Sequence, residues 1–509
     1  MNASVAKELN TLLGEVVDLR HAASLLEWDE RVYMPPGGAP VHGEMLATIR
    51  KLEHEKFTSA EVGRLLELAK GSLHTLPPDS DTYRTIVVTA RDYDKATRVP
   101  ADFVADHAQA VSAAHQAWIA ARAKSDFSIF KPHLEKVINL KRRYVGFFPP
   151  ADHPYDILLD DYEPGMKTAD VKAMFDTLRP RQVALIRAVR DRPRVDDGFL
   201  RRGFPEREMW DFGVEVATAF GFDWKRGRQD KSAHPFATAS SPDDVRITTR
   251  FDEDQPFGLL FGTLHETGHA LYEQAVSPTW NRTLLEGGAS LGVHESQSRL
   301  WENLVARSLP FWEHFFPRLQ RRFSSQLGGV TLQQFYKAIN SVQPSLIRVE
   351  ADEATYNLHV MLRVEMEIAM LGDDIAVEKL PALWNDKMEE YLGIRPAHDA
   401  SGILQDIHWS MGALGYFATY TLGNLISVQL WEKFRSVERS RDDQIRRGDF
   451  SPLLSWLHGA IHQHGRKFEP QGLVERVTGA RIDPAPYLQY LEDKYRDIYG
   501  LTSSALIGA

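Results

Sequence analysis

Helical periodicity runs through almost all of this 509-residue chain, and no long Gly/Ser or Pro linker interrupts it. Near the N-terminus, Leu9, Leu12, Leu13, Val16 and Leu19 recur at three-to-four spacing, the mark of an amphipathic helix. Breaks fall where Pro and Gly cluster: MPPGGAP at 34–40, LPPDS at 76–80, Pro100, and FFPPADHPYD at 147–156. Residues 168–190 read as a helix that Pro180 kinks or divides. The charged stretch 190–208 reads as a solvated connector. Strand signals are confined to KSAHPFATAS (231–240) and DDVRITTR (243–250), which predict a small sheet or ribbon just before a helix at 257–275. The expected class is therefore mostly α. One large helical domain spans 1–509, with room for two lobes and a small β element.

Composition removes several chemistries. The chain has no cysteine, so it has no disulfide framework, no thiolate metal site and no cysteine nucleophile. Any metal must be held by His, Asp or Glu. A formal charge of −10 lacks the basic footprint of a nucleic-acid binder. No uncharged apolar run reaches the roughly 18 residues of a membrane-spanning helix. Lys7, Glu8, Glu15 and Asp18 interrupt any signal-peptide core, so a cytoplasmic protein is expected.

Residues 264–275 read LHETGHALYEQA. His265 and His269 are four apart, so a helix presents both imidazoles on one face to one metal ion. Glu266 is adjacent and can aim its carboxylate at a water activated there, the H-E-x-x-H arrangement of zinc peptidases. The metzincin continuation fails, because Tyr272 and Ala275 stand where that class needs Gly and His. A third ligand must come from elsewhere. Glu273 lies along the same helix and is poorly directed to close a tetrahedron. Glu286, Glu295 and Glu302 are the downstream candidates. Glu295 opens a second helical stretch that a reversal through 277–290 can bring back beside the first, giving a His, His, Glu set.

At these residues the sequence resembles the carboxypeptidase Taq family, the M32 metallocarboxypeptidases. The resemblance runs through HPF (234–236), DVRIT (244–248), HETGHALYEQ (265–274), SLGVHESQSRLWEN (290–303), IRVEADEATYNLHVMLRVEME (347–367) and IRPAHDASGILQDIHWSMGALGYFATYTLGN (394–424). It implies a neurolysin-like helical fold with a deep active-site cleft, usually as a homodimer. It also implies removal of C-terminal residues from peptides with broad specificity. One Zn2+ per chain is the implied metal, with Co2+ as a substitute. Carried over by position, the ligands are His265, His269 and Glu295, and the catalytic base is Glu266.

The segment QDIHWSMGALGYFATY resembles the transition-state-binding segment of related helical peptidases. It offers His408 and Tyr420, then Tyr416, as donors to a developing oxyanion; the competing reading is that these rings only fill the core. An enzyme acting at a free C-terminus needs a carboxylate anchor, and the planar fork of arginine suits it. Arg348 is the first candidate and Arg246 the second, against structural pairing of Arg348 with Glu350 or Asp352. Metal-bound histidines usually donate their other N–H to a carboxylate, here Asp406, Glu302 or Glu353. Trp301, Phe311, Trp312, Phe315 and Phe316 read as core. The alternatives are a related oligopeptidase cutting internally and a non-catalytic helical binding protein.

Overall fold

Leu9, Leu13, Val16 and Val17 fall on one side of the Ala3–Val32 helix, each at most 2% exposed. They pack with Phe57, Val62, Leu65, Leu66, Ile86 and the distant Leu284, so the periodic stripe of the first helix is spent on a core. The computed structural model describes residues 3–372 and 375–502. The protein is 68% helical with one three-stranded sheet. Helices end at the expected Pro/Gly breaks, including those after Val32, Arg98 and Val145.

The chain forms two compact units, each gathered from three stretches. The first comprises Met1–Thr97, Asp197–Tyr336 and Leu430–Gly479; the second comprises Arg98–Asp196, Lys337–Gln429 and Ala480–Ala509.

The sheet belongs to the first unit. Its strands are β1 (Gly227–Lys231), β2 (Ala237–Ser241) and β3 (Asp244–Thr249), in the order β1-β3-β2. β3 is central, parallel to β1 and antiparallel to β2, with an irregularity between Ala239 and Ser241. Val245 and Ile247 of β3 are fully buried, as the alternation predicts. The sheet is tied to the Pro256–Gln274 helix by side-chain bonds: Thr249 Oγ1 to the Leu259 carbonyl (3.3 Å), and Gln229 Nε2 to Thr263 Oγ1 (3.0 Å). The aromatic stripe is core as expected. Trp301 and Phe220 lie 4.5 Å apart between ring centroids, and both sit against Phe450.

In the second unit, the Tyr356–Leu371 helix is almost wholly buried, including Asn357, His359, Arg363 and Glu367. The Thr168–Arg190 helix passes through Pro180 undivided, so of the expected kink or division the division does not occur. Proline removes one N–H from the ladder. Leu178 and Leu185 are nevertheless at most 1% exposed, and Gln182 Nε2 donates to the Ala354 carbonyl at 3.0 Å. Packing on both sides of the proline holds the helix together.

Candidate active site

The Pro256–Gln274 helix is apolar around nearly its whole girth, as befits a helix buried on most sides. At Gly268 it meets the Leu291–Arg299 helix backbone to backbone. A Cβ there would stand 2.6 Å from Ser298 Cα and 2.7 Å from the Gln297 oxygen. The glycine inside H-E-x-G-H is therefore what lets the second helix approach. The second helix is started by Ser290, whose Oγ accepts from the Val293 amide at 3.0 Å.

That crossing brings Glu295 under the two histidines. Its Oε2 lies 3.5 Å from His265 Nε2 and 3.4 Å from His269 Nε2. The three side chains form a group whose ligand atoms all lie within 4.8 Å of one another. Four-coordinate zinc with bonds near 2.1 Å separates its ligand atoms by roughly 3.3–3.5 Å, a spacing that the two edges to Glu295 match. Glu266 is 6% exposed and lies outside the triangle. Burial pushes its carboxyl up to about 7, with Glu295 and Glu302 acting in the same direction and His265 against it.

Supporting groups hold the side chains of the triangle in place. Glu302 Oε2 is 2.9 Å from His265 Nδ1. Arg299 reaches back one turn to Glu295 Oε1 (2.7 Å) and forward to Glu302 Oε2 (3.3 Å). Burial alone would raise both carboxyls. The Arg299 guanidinium and the histidines outweigh it, holding Glu302 down at about 2 and Glu295 well below the usual range. His269 is pulled down to about 3 by burial, which outweighs the opposing pull of the Glu295 carboxylate. Burial also pulls on His265, but Glu295 and Glu302 win and raise it to about 8. Glu302 sits in a π-helical segment, Leu300–Val305, that continues the Leu291–Arg299 helix.

Of the three expected carboxylate partners, only Glu302 meets a histidine of the triangle. Asp406 instead takes Arg348 Nε and Nη2 on one oxygen (3.0 and 2.9 Å) and Arg363 Nε on the other (2.6 Å). Glu353 pairs with Lys494 at 2.6 Å. Glu286, a third-ligand candidate, is drawn away by His21 and by the Arg282 amide. The partner of His269 is His294, with Nδ1 atoms 2.5 Å apart, and His294 Nε2 lies 2.6 Å from Glu273 Oε1. Sequence reasoning missed this pair. The available signal was a second Glu four residues after His269, together with a His beside Glu295.

The remaining candidates gather in the second unit. Arg348 is 5% exposed, donates Nη1 to Tyr356 Oη at 2.8 Å, and stacks 4.8 Å from the Tyr420 ring. Its carboxylate partner is Asp406, not Glu350 or Asp352. Asp352 is occupied by the amides of Gln343, Ala354 and Thr355. His408 Nε2 is 3.3 Å from Tyr420 Oη, and its ring lies 5.2 Å from that of Tyr416. Burial, then Arg348, pulls His408 down to about 3, so the ring is neutral. Arg246, on β3 in the first unit, is held by Asp244 in two 2.8 Å bonds and stacks 4.3 Å over Trp28.

A helical fold that carries two histidines one turn apart, a facing glutamate and a buried carboxyl beside them is that of a metallopeptidase. The sequence profile of the carboxypeptidase Taq (M32) metallopeptidases matches residues 8–495, and the chain belongs to that family. It is 42% identical to thermostable carboxypeptidase 1 of Thermus thermophilus over 96% of this chain and 97% of that protein. It is 35% identical to carboxypeptidase 1 of Bacillus subtilis over 97% and 98%. Its structure is similar to that of the M32 carboxypeptidase of Deinococcus radiodurans, with a TM-score of 0.95 at 40% identity over 98% and 100% of the two chains. The protein is a metallocarboxypeptidase acting on peptides. Among the described residues, no helix is long and apolar enough to cross a membrane.

Proposed function

We propose that the enzyme is zinc-dependent, holds one ion on His265, His269 and Glu295, and removes C-terminal residues from peptides of varied sequence. The observation that carries this reading is the His265–His269–Glu295 triangle, with edges of 3.4 and 3.5 Å to Glu295. Zinc bound there supplies a Lewis acid that polarises the scissile carbonyl and brings the pKa of water to about 7.

The protein's own groups do the rest. Glu266 takes the proton of the attacking water and passes it to the leaving amine. Glu302 and Arg299 hold His265 and Glu295 in place through the bonds described above. Arg348 receives the substrate's terminal carboxylate. Its bonds to Asp406 and Tyr356 use three of its five N–H groups, which leaves two for a ligand. Neutral His408, with Tyr420 and Tyr416, donates to the oxyanion of the tetrahedral intermediate. Arg246 is the weaker carboxylate anchor, since Asp244 and Trp28 already hold it. Co2+ can replace zinc at such an N/O site. A homodimer belongs to the same proposal and rests on the family resemblance.

The test is timed mass spectrometry of zinc-loaded enzyme on paired peptides, one with a free and one with an amidated C-terminus. Ladders that shorten residue by residue from the free C-terminus are expected, with the amidated partner resistant. Equal cleavage of both would replace this reading with that of an internally cutting oligopeptidase.

A further inference from the structure

Glu273 and His294 take no part in the chemistry proposed above, yet they are joined to it. His269 turns Nε2 toward Glu295 and Nδ1 toward His294 Nδ1 at 2.5 Å. The far nitrogen of His294, Nε2, meets Glu273 Oε1 at 2.6 Å. The His294 and Glu273 side chains are each only 18% exposed. The His294 ring is walled in. The Tyr272 ring lies 5.2 Å away and the His269 ring 4.7 Å away. Gly288 closes another side, where a Cβ would come within 2.7 Å of His294 Cδ2. Tyr272 is itself fixed, its hydroxyl accepting from the Ala289 amide at 3.1 Å.

With a metal ion between His269 Nε2 and Glu295, counting hydrogens gives these bonds one consistent direction. An ionised carboxylate only accepts, and a neutral imidazole carries one N–H. Glu273 therefore calls for the N–H on His294 Nε2. His294 Nδ1 is then a lone pair, and the donor facing it is His269 Nδ1–H. That leaves the lone pair of His269 on Nε2, the atom that faces Glu295. With the opposite tautomer, His269 would aim an N–H at the metal position and have no lone pair to give.

The geometry points to a two-step relay, Glu273 to His294 to His269, that fixes the Nδ1–H tautomer of His269 and thereby sets the affinity of the site for its metal. The inference rests on His269 being a metal ligand. His265 achieves the same end directly, through Glu302. A second carboxylate placed straight against His269 would add to the negative charge of Glu266, Glu295 and Glu302. Interposing an imidazole keeps the orientation and moves that charge outward. Glu273 also lines a cavity of about 210 Å³ with Arg20, His21, Glu286 and Arg466. Those four already pair with Glu53, Asp92 and each other, so the cavity reads as the solvent end of the relay, not a ligand site.

The test compares apo protein of wild type, His294→Leu, His294→Gln, Glu273→Leu and Glu273→Gln. Zinc dissociation constants are measured by competition with a chromogenic chelator, and apo melting temperatures are recorded beside them. Glutamine at 294 can accept from His269 and donate to Glu273, so it keeps the polarity of the relay. Both leucine variants are expected to bind zinc 10–100-fold more weakly. His294→Gln should recover most of that loss. Glu273→Gln, nearly isosteric, should lose less than Glu273→Leu and keeps the test informative if a leucine variant does not fold. Zinc affinity at wild-type strength in the leucine variants, or His294→Gln no better than His294→Leu, overturns the relay. If wild type fails to bind one zinc per chain, or His269→Ala binds as tightly, the metal-site reading falls instead.

Discussion

A carboxyl buried beside two imidazoles of a candidate metal site can act as a base or as a further ligand, and position decides between these roles. Glu266 stands outside the triangle that Glu295 completes. Glu266→Gln should therefore lower kcat by about 10²–10⁴-fold while leaving zinc affinity within a few-fold of wild type. Steady-state kinetics beside chelator competition would check this, and lost zinc binding would move Glu266 among the ligands. Arg348 poses a different question, because it is both buried and paired. Arg348→Ala leaves Asp406 its bond to Arg363, so the stability cost should fall near the low end for a broken buried pair, about 3 kcal/mol. If Arg348 also anchors the substrate, kcat/KM for free-acid peptides should drop on the order of 100-fold more than for amidated ones. Equal losses would make it purely structural. At this scale the sequence was most readable where spacing is local: His265, Glu266 and His269 share one helix turn. Glu302 could not be told from Asp406 and Glu353 as the carboxylate partner, because sequence distance does not say which of several cations a carboxylate meets after folding. His294 escaped notice because its role depends on a ring orientation that only packing against Tyr272 and Gly288 imposes.

Two helix contacts govern how elements hold these residues. The crossing at Gly268 has no room for a methyl group, and the atoms in the way are backbone. Gly268→Ala should force the two helices apart, costing about 1–3 kcal/mol and weakening metal binding by displacing Glu295. Chemical denaturation and zinc competition would show both effects together; full zinc affinity would mean the crossing adjusts elsewhere. The second contact is at Glu367, which joins the Tyr356–Leu371 helix to Tyr155 (2.6 Å), Trp409 Nε1 (2.8 Å) and the Gly415 amide (2.9 Å). Burial pushes its carboxyl from 4.5 up to about 7, with those three donors pulling the other way. The fold thus favours the protonated form. Its contribution is fully present below pH 4.5, the unfolded value, and is lost as pH rises to about 7. The stability difference between wild type and Glu367→Gln should shrink by about 3 kcal/mol across that window. A difference independent of pH would refute it. Helix positions and the β2–β3 pair were legible from period and Pro/Gly punctuation. β1 was not, because GRQDK has no apolar alternation. It is held by backbone pairing to β3 and by Tyr33, whose hydroxyl donates to Asp230 at 2.5 Å. The π-helical turn at Leu300–Val305 left no mark in the sequence either, since its register differs from an α-helix by one residue.

At the scale of the whole chain, the missing linker has a physical reason. Each compact unit is gathered from three separate stretches, so composition never shifts at a single boundary. The same construction bears on what the metal does for the fold. All three proposed ligands and their supports lie in one unit, and its hydrophobic cluster of Leu9, Leu13, Val16, Phe57, Leu65 and Leu284 involves none of them. Removing the ion would leave three carboxylates close together, but Arg299 and Arg307 already face Glu295 and Glu302. The site's charge is thus offset by the protein itself. A strong chelator should therefore abolish peptide hydrolysis while the helical circular dichroism signal stays. Ligand linkage sets the size of the thermal effect: saturation at a thousand times Kd is worth about 4 kcal/mol, present only while zinc is bound. In a chain this long, each kcal/mol moves the transition by a few degrees at most, so the apo protein should melt no more than roughly 10 °C lower. Zinc added back should restore full activity without a refolding step. Collapse of the helical signal on chelation would mean that the ion holds the fold together as well as the substrate.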